Sequence, residues 1–336
     1  MDVKSCFDYS LSMDQVFGPN KRIQVAMIRG LFDSWKMPVY YAFDTSMSVD
    51  VLFKIINEIE RRGITVVAVV SDMAPSNVGL RNSLGVTKDS PYFWNPYDTS
   101  KKIYMFHDVP HLIKLLRNHL LDRGYYLPDG STITKKDFQN LMEKDSQEFK
   151  IAHKIKEIHL ECQSSQRQRV CLATQLLSHT TASALKYIFP NKTSQSDFID
   201  TVDSWFDTFN SRRRFDCSIY SSGFGTNFQE QNEMLQKMKK NMESIRGIGK
   251  QSILPFQYGI LLSISSLENL FHDLATTYGV EYILTSRLNQ DCLENFFSRL
   301  RALGVSNDHP SSVDCINRFR LLILGQADKI DVKSSH

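Results

Sequence analysis

The stretch VVAVVSD, residues 66–72, is a short β-branched apolar run that ends abruptly in a carboxylate. A run of this length, with Gly63 before it and polar, turn-rich residues after it, is typical of a buried parallel strand. An acidic residue at the carboxyl end of such a strand lies at the rim of an α/β sheet, where ligands and metals bind. For this stretch by itself, the interpretation that Asp72 only caps the next helix is favoured.

Composition places the chain among ordinary globular proteins. Its 336 residues are 42% hydrophobic and 23% charged, enough for one large domain or two ordinary ones. No apolar run approaches the roughly 20 residues that span a bilayer, and the first residues lack the apolar core of a signal peptide. The six cysteines are scattered without a C-x-x-C pair, which indicates a reducing compartment and argues against a cysteine-rich zinc site.

Charge is nearly balanced, but the basic residues cluster. The formal net charge is only +3. Clustering on a near-neutral chain is compatible with a phosphate-binding face, although solvated helix faces are the more common explanation. The clusters are residues 212–214, residues 237–240, and Arg299, Arg301, Arg318 and Arg320.

The residues before this stretch predict a strand–helix–strand unit. Two strands are predicted in residues 23–32 and 38–43. A helix with 3.6-residue apolar periodicity begins after Ser48 as N-cap and ends at Gly63. A βαβ unit of this length predicts that strands 39–44 and 65–71 lie in one sheet.

Beyond the stretch, a strand at residues 102–107 leads into a helix whose first turn contains Pro110. After Asp122 the pattern changes, and no β periodicity is found from 131 to 285. We therefore interpret residues 123–286 as a helical domain inserted into an α/β domain. The predicted helices are 134–142, 147–159, 169–188, 196–209, 229–245 and 265–277 in the insertion, followed by 290–303, which Gly304 ends, and 313–324.

Acidic residues at the predicted sheet edge suggest a metal site. Asp72 ends one strand, and Asp108 ends the next, three residues before His111. Glu294 lies on the helix 290–303, one turn after Asp291. Two Mg²⁺ ions that catalyse phosphoryl transfer need such hard oxygen ligands. The pattern alone slightly favours another interpretation, in which the aspartates are N-caps and Glu294 is a surface acid.

A set of longer runs occurs in the order typical of one protein family. Together they are highly specific, and on these runs the chain resembles the P element transposase family, whose members carry an N-terminal THAP zinc finger. The runs are RGLF (29–32), WKMP (35–38), SDMAPSN (71–77), LGV (84–86), FHDVPHLIK (106–114), RNHLL (117–121), WFDTFNS (205–211), LNQDCLENFFS (288–298) and NDHP (307–310).

The resemblance implies an α/β fold, a ribonuclease-H-like mixed sheet with helices that is interrupted by a large all-α GTP-binding insertion. The implied domains are 1–122, 123–286 and 287–325, with a tail at 326–336. The implied activity is cut-and-paste DNA transposition with a D-D-E metal triad.

Roles for individual residues also follow from the resemblance. Asp72 matches the second catalytic acid and Glu294 the third, both as Mg²⁺ ligands. Asp108 and His111 match a D-x-x-H element that places the DNA near the scissile phosphate. Asp291 matches a helical acid that would face the Mg²⁺ of the nucleotide.

In the insertion, Asp207 and Asn210 match the run that reads guanine. A carboxylate can accept hydrogen bonds from guanine N1–H and N2–H₂, which adenine cannot offer. Lys154 and Arg169 are candidates for phosphate contacts. The implied cofactors are therefore Mg²⁺ and GTP, and the implied partners are transposon-end and target DNA and a possible homo-oligomer. A nuclear location is expected, without membrane association.

One departure from the family pattern affects the expected activity. Aligning residues 4–9 with the family places Met1 just after the Asp-Glu run that holds the first catalytic acid, and Asp2 is three residues out of place. The zinc finger, the dimerising coiled coil and the C-terminal DNA-binding region are not matched either. We therefore expect this chain to be inactive in strand cleavage as written. A GTP-dependent DNA-binding or scaffold protein is the alternative, and a helical regulator without nucleotide function is a less favoured one.

Overall fold

A computed structural model describes residues 1–145, 150–303 and 309–331, the last six as backbone. Contacts divide the chain into two compact units. Unit 1 comprises Met1–Ile64 with Gln290–His336, and unit 2 comprises Thr65–Asn289. Several predicted features lie outside the described residues: residues 147–149 of the predicted helix 147–159, Gly304, the first two residues of the NDHP run, and residues 332–336 of the tail.

The strands are short, and most helices have two to five turns. The strands are β1 (Asp8–Ser10), β2 (Gln15–Phe17), β3 (Ile23–Arg29), β4 (Lys36–Phe43), β5 (Ala68–Ser71), β6 (Tyr92–Trp94), β7 (Lys102–His107), β8 (Tyr125–Tyr126), β9 (Thr132–Ile133) and β10 (Arg246–Gly247). The helices are α1 (Val49–Glu60), α2 (Pro75–Ser83), α3 (Val109–Asp122), α4 (Lys135–Lys144), α5 (Glu157–Leu160), α6 (Val170–Leu176), α7 (His179–Ile188), α8 (Thr193–Phe209), α9 (Phe228–Ser244), α10 (Pro255–Tyr278), α11 (Asp291–Ala302) and α12 (Ser312–Asp331).

Unit 1 contains two antiparallel strand pairs, β1 with β2 and β3 with β4. The predicted strands before the helix are confirmed as β3 and β4. The hydroxyl of Ser48 accepts a hydrogen bond from Val51 N at 3.3 Å, which confirms the predicted cap of α1. Helices α11 and α12 supply the apolar side chains that cover β3. The core of the unit is formed by Val3, Ile23, Val25, Phe296, Leu300, Cys315, Phe319 and Leu322.

The prediction that strands 39–44 and 65–71 share one sheet is wrong. Among the described residues, strand β4 pairs only with β3, whereas β5 belongs to a separate sheet with the order β5-β7-β6. Residues 1–3 contribute a single bridge, Asp2 to Arg22, on the edge of β3 opposite β4. This short antiparallel stretch reaches β3 only at its first residue, where Ile23 N donates to Met1 O at 2.9 Å.

The sheet of unit 2 is centred on β7. It pairs parallel with β5 and antiparallel with β6, and its residues 103–107 are almost fully buried. Helix α10 lies against β7, where the Ser266 hydroxyl donates to Met105 O at 2.6 Å. Gly259 permits close packing of α10 against α3, since a Cβ there would be 2.8 Å from Leu112 Cδ2. The predicted strands 65–71 and 102–107 are confirmed, and β6 was not predicted.

The rest of unit 2 is helical, as predicted for the insertion, with three exceptions. The two-residue strands β8, β9 and β10 form a small antiparallel sheet. The prediction that residues 131–285 contain no strand is therefore wrong, because strands of two residues carry no detectable alternation. The predicted helix 169–188 is interrupted at Leu177 and Ser178, where the Ser178 hydroxyl caps α7. Among the described residues, no helix is long and apolar enough to cross a membrane.

Candidate active site and nucleotide site

The carboxyl ends of β5 and β7 bring three predicted residues together. The two strands are parallel, and Asp108 N donates to Ser71 O at 2.9 Å across them. Asp72 follows β5 directly, and Asp108 and His111 begin α3 after β7. The strand pairing therefore places Asp72 and Asp108 at the same edge of the sheet, with His111 in the first turn of α3.

The Asp72 carboxylate is oriented by two hydrogen bonds. Its Oδ1 accepts hydrogen bonds from Ala74 N at 2.9 Å and from Asn77 Nδ2 at 2.6 Å. Within the described part of the chain, both bonds fall on this one oxygen, so Oδ2 can face a cation. A half-buried carboxylate oxygen at a strand end is a suitable donor for Mg²⁺.

Asp108 is the N-cap of α3, as the simpler interpretation expected. Its Oδ2 accepts a hydrogen bond from His111 N at 3.1 Å, and the residue is only 3% exposed. Burial, with a further effect of Lys114, lowers the pKa of His111, and the charge of Asp72 opposes this. His111 is therefore held neutral beside two acids at neutral pH.

A buried histidine and a buried arginine behind this cluster were not predicted. Burial, and then the charge of Arg81, lower the pKa of His107 to about 4. His107 Nε2 lies 3.4 Å from Arg81 Nη1, and the guanidinium lies over the ring of Tyr258 at 4.5 Å. The only signal in the sequence was the position of His107 at a strand end, next to Asp108. Nothing local marked Arg81, which is 26 residues away.

The other two predicted acids lie in unit 1. Asp291 and Glu294 occupy the first turn of α11, where the helix dipole favours negative charge. Asp291 is half-buried and Glu294 is exposed. Within either unit, the described residues include no group of three His, Cys, Asp or Glu side chains that could hold a metal ion. The triad therefore stays a prediction.

The predicted guanine-reading residues lie at the C-terminal end of α8. Asp207 is in the last turn, and Asn210 is the C-cap, with its N–H bonded to Asp207 O at 3.0 Å. Burial, with the neighbouring charge of Asp216, raises the pKa of Asp207. No cation among the described residues forms an ion pair with Asp207, and a partly desolvated carboxylate in this state is suited to accept hydrogen bonds from a ligand.

A second acid on this helix was not predicted. Asp203 lies one turn before Asp207, and its carboxylate accepts a hydrogen bond from His179 N at 3.0 Å. Burial, and then the charge of Asp207, raise the pKa of Asp203 to about 6. The i, i+4 spacing of the two aspartates in the sequence was the signal that could have indicated this pair.

The two predicted phosphate-contacting residues are exposed. Lys154 lies in a turn, and Arg169 is the N-cap residue of α6. The 3₁₀ turn Ser164–Gln168 precedes Arg169. Both cations are therefore accessible to an anion, and their role stays a prediction.

Three family models match the chain in order. Residues 8–85 match the TNP-like RNase H N-terminal domain, residues 110–222 the TNP-like GTP-binding insertion domain, and residues 286–314 the TNP-like RNase H C-terminal domain. A solved chain of the Drosophila P element transposase strand transfer complex superposes with a TM-score of 0.92. That match has 38% identity and covers 96% of this chain and 75% of the solved one. The chain belongs to the P element transposase family.

Two curated relatives agree with this assignment. The Transposable element P transposase of Drosophila melanogaster is 39% identical over 337 residues, which cover 98% of this chain and 44% of that protein. DNA transposase THAP9 of Homo sapiens is 27% identical over 311 residues, 85% of this chain and 34% of that protein. The chain spans less than half the length of the curated relatives it matches. The family and the ribonuclease-H-like fold with its GTP-binding insertion are confirmed.

Proposed function

We propose that this chain forms the core of a cut-and-paste DNA transposase that uses GTP as a cofactor. The observation that carries the proposal is the 0.92 TM-score to a P element strand transfer complex at 38% identity. Transposon-end and target DNA are the proposed substrates. The proposed location is the nucleus, and the protein is also proposed to self-associate. Similarity of this extent over 96% of the chain supports a shared role and not only a shared fold.

Mg²⁺ is the proposed metal, with Asp72 and Glu294 as its protein ligands. When bound, it would stabilise the attacking and leaving oxygens of a phosphoryl transfer. Asn77 orients the Asp72 carboxylate through the bond to Oδ1. Asp108 fixes the first turn of α3, and so places His111 at the same edge, where it would contact the DNA backbone.

GTP is the proposed nucleotide. The desolvated Asp207 carboxylate would accept hydrogen bonds from guanine N1–H and N2–H₂, and Asn210 lies near it in sequence. Lys154 would bind phosphate oxygens through its compact ammonium group, and Arg169 through its planar guanidinium group. Asp291 would face the Mg²⁺ that accompanies the nucleotide.

The first prediction tests guanine recognition. Asp207→Asn keeps the volume of the side chain but replaces one acceptor oxygen with a donor, which would oppose guanine N1–H. We expect GTP binding, measured by calorimetry, to weaken about 10- to 150-fold, because hydrogen bonds to a charged group contribute about 1.5–3 kcal/mol. ATP binding should change little.

Asp200→Asn is the matched control, since Asp200 lies on the same helix and its carboxylate is engaged with His179 at 2.6 Å. It should leave GTP affinity unchanged. Guanine selectivity that survives in Asp207→Asn would contradict the assignment of this site.

Strand cleavage separates the transposase from a DNA-binding or scaffold protein. The assay uses transposon-end DNA with Mg²⁺ and GTP, and Asp72→Asn as the inactive control. Cleavage that depends on Asp72 would support an active transposase and would contradict the inactivity expected from the unmatched first acid. GTP and DNA binding without any cleavage supports the binding or scaffold role.

A further inference from the structure

The loop between α8 and α9 is held in one conformation by a buried side chain. Gln231 is fully buried, and its amide donates to Ile219 O at 2.8 Å and to Ser222 O at 3.2 Å. At the base of the loop, Gly223 N donates to Arg214 O at 3.0 Å. Whatever the loop presents to solvent is therefore positioned in advance.

The loop presents an aromatic ring among arginines. Phe215 is 67% exposed, although the loop that carries it is anchored. The Arg214 guanidinium lies 5.3 Å from the centre of this ring and 5.0 Å from that of Tyr282, and is fixed by an ion pair with Glu281 at 2.5 Å. The preceding residues, Arg212 and Arg213, are exposed.

We propose that Phe215 stacks on an unpaired base of single-stranded DNA, with Arg212 and Arg213 on the flanking phosphates. An exposed ring beside cations is how proteins bind single strands without sequence readout, since every base has a π-face. The Arg214 guanidinium lies over one face of the Phe215 ring, so the opposite face is available to a base. The inference rests on the proposed function, because strand cleavage and joining leave unpaired DNA ends.

An open surface favours a strand over a free nucleotide. A nucleotide base is usually enclosed in a pocket, whereas Phe215 is two-thirds exposed. The run of arginines also follows the chain next to the ring, as phosphates follow one another along a strand. Asp216 is the acidic residue nearest to Phe215 in sequence, and its carboxylate accepts a hydrogen bond from Cys217 N at 2.7 Å.

The test is binding of the 336-residue chain to a fluorescent oligothymidylate, to a duplex of equal length, and to GTP. Phe215→Ala should weaken single-strand binding about 5- to 150-fold, the range of base–aromatic stacking, with duplex and GTP binding unchanged. Tyr187→Ala is the matched control, since Tyr187 is 76% exposed in the same unit and should have no effect. Arg212→Gln with Arg213→Gln should lower the salt dependence of binding.

A second variant gives a direct readout of stacking. The fluorescence of Phe215→Trp should be quenched by oligothymidylate, and that of Tyr187→Trp should not. Equal loss of duplex binding in Phe215→Ala, loss of GTP binding only, or no change would each overturn the inference. If the wild-type chain binds the duplex but not the single strand, only this inference is contradicted. If it binds neither DNA, the proposed function in DNA transposition is contradicted as well.

Discussion

At the residue scale, two aspartates one turn apart on α8 show how burial changes a carboxyl group. Both Asp203 and Asp207 have a raised pKa, with burial as the largest cause. Asp203 keeps a structural bond to His179 N, whereas Asp207 lies at the end of the helix next to Asn210. The pair therefore combines a capping acid with one that remains suited to a ligand.

The pH dependence of stability should report the state of Asp203. Its folded pKa, about 6, lies above the ordinary aspartate value of 3.8, so the folded chain binds the extra proton between these values. The stability it contributes is present below about pH 4 and is lost as pH rises through 6. A shift of about 2 units corresponds to about 3 kcal/mol.

The contribution of Asp203 is measured by urea unfolding of the wild type and of Asp203→Asn between pH 4 and pH 7. The amide keeps an oxygen for His179 N but does not titrate. We expect the wild type to lose stability relative to the variant as pH rises, and parallel curves would contradict the assignment. Asp197→Asn, at an exposed position of the same helix, is the control.

At the element scale, Asp108 is both an N-cap and a candidate functional acid. The two roles separate by substitution. Asp108→Ala removes the acceptor for His111 N, and we expect a loss of about 0.5–2 kcal/mol in the free energy of unfolding. Asp108→Asn keeps a capping oxygen and should retain most of the stability.

Denaturant unfolding together with DNA binding distinguishes these roles. If Asp108 acts only as a cap, Asp108→Asn should bind and process DNA like the wild type. A stable Asp108→Asn protein that has lost activity would show that the charge itself matters. An Asp108→Ala protein of unchanged stability would contradict the capping role.

At the scale of the whole molecule, one buried and two half-buried histidines should make the fold sensitive to acid. The pKa values of His107, His111 and His119 are all lowered, with burial as the largest cause. Each must remain neutral in the folded chain but takes up a proton when unfolded. The contribution of His107 is present above about pH 6.5 and is lost as pH falls toward 4, and those of His111 and His119 change in the same direction.

His107 should dominate this effect, since its pKa falls from 6.5 to about 4, or about 3 kcal/mol. Unfolding followed from pH 7.5 to pH 4.5, without divalent cations, should show a smaller loss of stability in His107→Asn than in the wild type. His153→Asn, at an exposed position, should follow the wild type. Identical slopes for wild type and His107→Asn would contradict the buried, neutral state of His107.

Much of the fold was predictable because its signals are local. The apolar run at 66–72, the Ser48 cap and the Pro110 helix start each depend on residues within one or two turns. The two-residue strands β8 to β10 were not predictable, because they exist only through pairing over up to 122 residues, as between Tyr125 and Gly247. The separate sheets of β4 and β5 were missed for the same reason.

The sequence by itself determined that residues 66–72 end in an acid at a sheet edge, and its longer runs determined the family. Local periodicity and capping chemistry suffice for the first, and the order of matched runs for the second. Only the tertiary structure decided that Arg81 lies against His107 and that Asp203 is desolvated. These depend on burial and on contacts between distant residues, which no local pattern specifies.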